Sequence, residues 1–268
     1  MILEPLKSNR AAKECPERII TRSIIGHRTV KILKTRTGLR LSQHGVVISE
    51  MRLRPGPTHS LFDVLATLVA VLRPQGGVGL LGFAGGGMIA PLRALGCEAP
   101  IHAVDLDAAA FQLFKRHCRS WAGDVQWHHG EASQWLRVQP KRSFDLIIED
   151  LSVPHRGDVF KPDVSWGPLP KLIRERLKPD GTAIFNLLKP GNNRWNPGLA
   201  GMTAHFDAAR FIQLEEFENL IVLAGTRLPA ASRLGHELRK QLAALESRQA
   251  ARLRISSTHA SLPRRHSR

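Results

Sequence analysis

The sequence predicts an α/β protein built on a mostly parallel sheet. Three observations carry that reading. From Val78 onward, short apolar runs alternate with segments of helical period. The first of these runs, Val78-Gly-Leu-Leu81, passes into a turn of small residues, Gly82-Phe-Ala-Gly-Gly-Gly87, and then into a helix. The runs that follow end in carboxylates or glycine turns, at Asp105, at Gly130-Glu131 and at Glu149-Asp150. Parallel strands joined by helices are covered on both faces, and their ligands bind beyond the C-terminal ends of the strands.

Taken in order, residues 28–57 read as a small β region. Thr29 to Lys34 alternates, Gly38 marks a turn, and Leu39 to Leu41 pairs with Val46 to Ile48 around Gly45. Pro55-Gly-Pro57 then breaks the chain. Ser60 to Leu72 is helical, with Leu61, Leu65, Leu68 and Leu72 on one face. After the first sheet strand come a helix from Met88 to Leu95, a second strand from Pro100 to Val104 and a helix from Asp107 to about Trp121. Val125 to His128 is the third strand, followed by a short helix over Ala132 to Leu136. Phe144 to Ile148 is the fourth strand, and Leu169 to Leu177 is a helix. Thr182 to Leu187 is the fifth strand, after the turn Lys178-Pro-Asp-Gly181. Phe211 to Phe217 and Asn219 to Ala224 form a closing antiparallel hairpin, which makes seven strands. The expected divisions are a basic arm (1–27), the small β region (28–57), an α/β domain (58–228) and a basic C-terminal segment (229–268).

The chain has 268 residues and is 43% apolar, enough to bury a substantial core and to exclude wholesale disorder. Its net charge of +16 is concentrated at the two ends: residues 1–40 and 229–268 carry +7 each, leaving +2 between them. Basic ends can grip nucleic acid, although a solvated helix face and a loose tail explain them as well. The C-terminal segment has helical spacing at Leu234, Leu238, Leu242, Leu245 and Leu253, and Ser256 to Arg268 is expected to be disordered. With no Tyr, ten Phe and five Trp, the chain is poorly supplied with stacking platforms for single strands.

The uncharged stretch from Pro74 to Leu92 is long enough for a membrane span, but its seven glycines point to a strand, a tight loop and a helix start. Glu4, Lys7 and Arg10 interrupt the first residues, so no signal peptide is expected. Cys15, Cys97 and Cys118 stand far apart and suggest no disulfide framework, which makes the cytoplasm the expected location. No metal site is expected: His128 and His129 are strand neighbours and point to opposite faces.

Small residues at Gly82, Ala84 and Gly86 let a ligand approach the backbone, and the helix behind them offers free N–H groups. Asp105 ends the second strand, where a carboxylate can accept from ribose hydroxyls. Asp107 precedes Ala108-Ala-Ala-Phe111 and can instead cap the helix. Together the strand ends point to a site for an adenosine-type nucleoside.

The order Gly-rich turn, Val104-Asp-Leu-Asp107, Gly130-Glu-Ala132 and Phe144-Asp-Leu-Ile-Ile-Glu-Asp150 resembles the spermidine synthase branch of the class I methyltransferase fold. Gly45 to Glu50 with Thr58-His-Ser60 is similar to that family's N-terminal hairpin region, and Leu177 to Asn186 to its fifth strand. The resemblance spans roughly residues 28–228. It implies S-adenosylmethionine or its decarboxylated form as cosubstrate and a Rossmann-like sheet; it also suggests a homodimer. By the same resemblance Gly82 and Gly86 underlie the nucleoside, with Ala84 in the same loop. Asp105 holds the ribose, Glu131, next to Ala132, accepts from the adenine amino group, and Leu106 and Leu151 flank the purine. Asp150 stands beside the attacking amine as the catalytic residue, steering it or taking its proton.

The departures bear on the reaction. Where the aminopropyltransferases of this family carry an aspartate in the glycine loop, this chain has Gly85, and a second substrate aspartate is replaced by Val153. Ser60 stands for an expected acid, and Ile48 for a glutamine. A diamine needs carboxylates at both ends, so methyl transfer is favoured over aminopropyl transfer. A non-catalytic relative and a nucleic-acid-modifying enzyme are the other readings. Asp158, Asp163 and Trp166 fall in a loop after the fourth strand, and Asn186 at the end of the fifth strand is either a cap or a site residue.

Overall fold

Alternating apolar residues near the N-terminus produce an antiparallel sheet of four strands: β1 (Arg18–Ile25), β2 (Arg28–Lys34), β3 (Gly38–Gln43) and β4 (Val46–Arg52), in that spatial order. The computed structural model describes residues 18–25, 28–43, 46–155, 158–188 and 195–258. The basic arm over 1–17 with Cys15, Gly45, and the tail over 259–268 lie outside the described residues. Ile32, Leu39, Leu41 and Met51 turn one face of the small sheet into the core.

Helix α1 (Leu61–Leu72) starts where Ser60 Oγ accepts the N–H of Phe62, with Asp63 in its first turn. The large sheet then begins. Its parallel strands are β5 (Val78–Leu81), β6 (Ile101–Asp105), β7 (Val125–His129) and β8 (Phe144–Glu149), connected by α2 (Ile89–Ala94), α3 (Ala108–Cys118) and α4 (Ala132–Val138). A small hairpin follows, β9 (Val153–His155) and β10 (Asp158–Phe160), then α5 (Asp163–Trp166) and α6 (Leu169–Arg176). Strand β11 (Leu177–Leu187) pairs in parallel with β8. After α7 (Asn196–Thr203), strands β12 (Ala208–Leu214) and β13 (Leu220–Gly225) close the sheet antiparallel, followed by α8 (Ala231–Ala244) and β14 (Leu253–Ser256). The order across the large sheet is β14-β12-β13-β11-β8-β5-β6-β7. Strand alternation sends Leu80, Ile148 and Ile184 into one core layer and Leu81, Ile147 and Phe185 into the other, so both faces are covered.

Several sequence expectations need correction. The sheet has eight strands rather than seven, because β14 adds an antiparallel edge to β12. The C-terminal helix ends at Ala244 and does not reach Leu253. Glu246 takes a left-handed φ of 58°, Ser247 caps a 3-10 turn over 248–251, and Leu253 is buried as a strand residue opposite Leu214. Leu234, Leu238 and Leu242 seat α8 in the core, so residues 231–256 add to the large sheet and its cover. Residues 18–25 of the expected arm form β1. The helix after Asp107 stops at Cys118, short of Trp121. The segment after β8 is a hairpin and a short helix, not a plain loop: Asp158 opens β10, and Asp163 and Trp166 bound α5. The stretch 74–92, by contrast, divides as expected into strand, turn and helix, and no helix among the described residues is long and apolar enough to cross a membrane.

Candidate functional site

The hydrogen-bond ladder of the parallel strands runs one step past each strand end. Gly82 donates its N–H to Val104 O (3.0 Å), Asp150 to Leu81 O (2.8 Å) and Gly130 to Asp105 O (3.0 Å). Those bonds put Gly82, Asp105, Gly130 and Asp150 in one row along the sheet edge. Gly82 has φ +87°, and a Cβ there would lie 2.6 Å from Asp150 O, so only glycine fits between the two strand ends. The row borders a cleft of about 1610 Å³. A single small-molecule site usually measures roughly 300–1,000 Å³, so the cleft has room for two reactants.

Of the eight residues named from the sequence, Gly82, Ala84, Asp105, Leu106, Glu131, Ala132 and Asp150 line this cleft. Gly86 is not among the lining residues. Its missing Cβ would lie 2.7 Å from the rings of both Phe83 and Phe114, so this glycine serves packing under the loop. Gly85 is pressed against β4: a Cβ there would meet the buried Ser49 Oγ at 2.9 Å. An aspartate at that position requires Ser49 to move.

Asp105 ties the turn to β6. Its Oδ2 accepts the N–H groups of Phe83 and Ala84 at 2.7 Å each, and Oδ1 accepts from Asp107 N at 2.9 Å. An ionised carboxylate has about four acceptor positions, so roughly one is left for a ligand hydroxyl. Asp107 caps α3 through Ala109 N (3.0 Å) and also faces the cleft. Glu131 caps α4 with both oxygens, accepting from Ser133 N (2.9 Å) and Gln134 N (2.8 Å). Leu106 is 66% exposed and lines the cleft, as Leu151 does.

Asp150 is half-buried. Burial pushes its carboxyl up to about 6; Lys161 and the hydrogen bond from Asn186 oppose that shift, while Glu149 and Asp105 add to it. Asn186 Nδ2 donates to Asp150 Oδ1 at 2.6 Å, and Asn219 Nδ2 donates to Asn186 Oδ1 at 2.9 Å, which fixes the orientation of the Asn186 amide. Asn186 is therefore a site residue. Asn219 was not anticipated, because nothing within its own hairpin marks it. Neighbouring Glu149 is wholly buried, and its Oε1 accepts from Lys161 Nζ (2.8 Å), Ser165 Oγ (3.0 Å) and Leu151 N (3.0 Å). That ion pair, with side chains 2% and 0% exposed, and the bonds from Leu151 and Ser165 tie Leu151, Lys161 and Ser165 to the end of β8.

The far wall comes from distant parts of the chain. Val47, Ile48 and Glu50 come from β4, Thr58 to Phe62 from the start of α1, Glu216, Phe217 and Asn219 from the β12–β13 turn, and Arg248 from the C-terminal 3-10 turn. Buried Asp63 organises this wall. It accepts from Thr58 N and Oγ1 (2.7 Å each), His59 N (2.9 Å) and Ser247 Oγ (2.6 Å), while Gln249 Nε2 donates to His59 O (3.0 Å). His129 Nε2 lies 3.2 Å from Leu106 O and its ring stacks on Trp127, whereas His128 packs near Trp135. Among the described residues no group of three His, Cys, Asp or Glu side chains could hold a metal ion. Cys118 is wholly buried, its thiol pushed up to about 12 by that burial.

No protein-family model matches the chain, and no curated protein matches it in sequence. Solved structures do match in fold. A probable spermidine synthase from Corynebacterium glutamicum ATCC 13032 superposes with a TM-score of 0.67 at 15% identity, over 87% of this chain and 88% of that one. A spermidine synthase in complex with the transition state analogue AdoDATO gives 0.61 at 12% identity, over 79% and 73%. Human methyltransferase-like protein 13 in complex with SAH gives 0.55 at 16% identity, over 70% and 90%. The chain has a class I methyltransferase-like fold, similar to that of the spermidine synthases it matches, and carries an N-terminal antiparallel sheet.

Proposed function

We propose that the cleft binds S-adenosylmethionine or a close relative and that the chain transfers a group, in the first instance methyl, from its sulfonium to a second small molecule. One observation carries this reading: the strand-end row brings Gly82, Asp105, Leu106, Glu131 and Asp150 to one cleft, with the apolar face of Leu106 open to it. The residues suit a nucleoside. Gly82 permits close approach, Asp105 keeps an acceptor position for a ribose hydroxyl, and Leu106 with Leu151 offers apolar surface to a purine. When bound, the cosubstrate supplies an electrophilic carbon whose bond to sulfur breaks with the electron pair moving to sulfur.

The chain's own part is positioning and proton removal. Asp150, with its carboxyl at about 6, is ionised in neutral solution and basic enough to accept the proton of an attacking N–H or O–H group. Asn186 is the positioning residue that aims its Oδ1. The absence of acids at Gly85 and Val153 favours methyl transfer over aminopropyl transfer. Isothermal calorimetry with S-adenosylmethionine and with its decarboxylated form ranks the two. Binding of the first supports the reading, and silence from both rejects it. A binding-only relative is the second reading, because Asp105 and Glu131 already serve backbone N–H groups of the fold. It predicts nucleoside binding with Asp150→Ala behaving as wild type.

A further inference from the structure

Resting on that reading, we infer that the acceptor is an amphiphilic carboxylate, an apolar body with one anionic group held at Arg248, and not a polyamine. The cleft lining holds six carboxylates: Glu50, Asp105, Asp107, Glu131, Asp150 and Glu216. Each already accepts from a group of the chain. Asp105, Asp107 and Glu131 serve backbone N–H groups, and Asp150 serves Asn186. The two on the far wall are neutralised by the protein itself. Arg40 Nε sits 3.0 Å from Glu50 Oε1, and Glu216 is paired with Arg252 and accepts from Gln249 Nε2 at 2.9 Å. A diammonium guest could meet Asp150 at one end, but at the far wall its second ammonium would have to displace these cations or lie unpaired, and an unpaired charge in a desolvated cleft is strongly disfavoured.

What the far wall leaves available is apolar surface and positive charge. Val47 and Val153 are 48% and 45% exposed on the lining, beside Ile48 and Phe217. Arg248 is exposed on the same lining and has no hydrogen bond or ion pair among the described residues. Its backbone is held in place: Ser247 is bonded to Asp63, and Gln249 is wholly buried and bonded to His59 O and Glu216. An apolar body against the valines, with a carboxylate at the Arg248 guanidinium, satisfies both features.

The test titrates octanoate, octanol and putrescine into the full chain by calorimetry, with and without S-adenosylhomocysteine, whose own binding is measured first. Octanoate is expected to bind about fivefold tighter than octanol, the upper end for a partly exposed ion pair. That preference is lost in Arg248→Ala, largely kept in Arg248→Lys, and untouched in Arg233→Ala on the exposed side of α8; putrescine gives no binding heat. Putrescine binding, equal affinity for octanoate and octanol, or a preference that survives Arg248→Ala would overturn the inference. The nucleoside reading fails separately. If S-adenosylhomocysteine is silent while octanoate still depends on Arg248, that reading falls and the carboxylate site stands. If the nucleoside binds and octanoate ignores Arg248, the carboxylate site alone falls.

Discussion

The two halves of the cleft are made in different ways. The half proposed to hold the nucleoside is built from consecutive strand ends, where one ladder of backbone bonds sets Gly82, Asp105, Gly130 and Asp150 side by side. The acceptor half gathers Ile48, His59, Val153, Phe217 and Arg248 from segments up to two hundred residues apart, joined through Asp63, Ser247 and Gln249. The first half follows from sheet topology. The second depends on tertiary contacts between distant segments, and it is there that we propose an anionic acceptor instead of a polyamine.

Perturbing one half at a time separates these roles. The largest effect is expected at Asp150. Asp150→Ala should lower turnover roughly 10²–10⁴-fold, the usual range for loss of a general base, while nucleoside binding persists in calorimetry. In the wild type, the single-turnover rate should fall about tenfold per pH unit below about 6, as the Asp150 carboxyl takes up its proton.

The same group affects stability. Because its carboxyl titrates at about 6 rather than the ordinary 3.8, the folded chain holds that proton more tightly than the unfolded chain does. The stabilisation is full below pH 3.8 and is lost as pH rises to about 6. Asp150→Asn, which cannot ionise and still accepts from Asn186, should therefore be more stable than wild type at pH 8, by up to about 3 kcal/mol, and little different at pH 3.5. Urea unfolding at the two pH values reads this directly. Gly82→Ala comes next. Its positive φ and the 2.6 Å approach to Asp150 O should cost about 1–3 kcal/mol in the same assay and weaken nucleoside binding. Asn186→Leu removes a hydrogen bond that holds the Asp150 carboxyl down, so the acid limb of the pH–rate profile should move upward, by less than one unit.

The strand-end half of the cleft was legible in the sequence because its signals are local. A small-residue turn after an apolar run, and a carboxylate at a strand end, can each be read within a few residues. Gly86 looked like the other glycines of that turn, yet packing against Phe83 and Phe114 accounts for it. In the other half, Ile48, Ser60 and Val153 could be named only through the family resemblance, and Asn219 and Arg248 carry no local mark and acquire their surroundings only on folding. The run of leucines from Leu234 to Leu253 misled for a related reason. A buried edge strand and a buried helix face both demand leucine, and the reversal at Glu246 cannot be inferred from spacing.

The central claim is that the strand ends form a nucleoside site. A crystal structure of the full chain grown with S-adenosylhomocysteine tests it most directly. The account predicts ribose hydroxyls at Asp105, the purine against Leu106, and the sulfur on the side of the cleft that holds Asp150. A ligand seated elsewhere, or a cleft that stays free of nucleoside at saturating concentration, would contradict it.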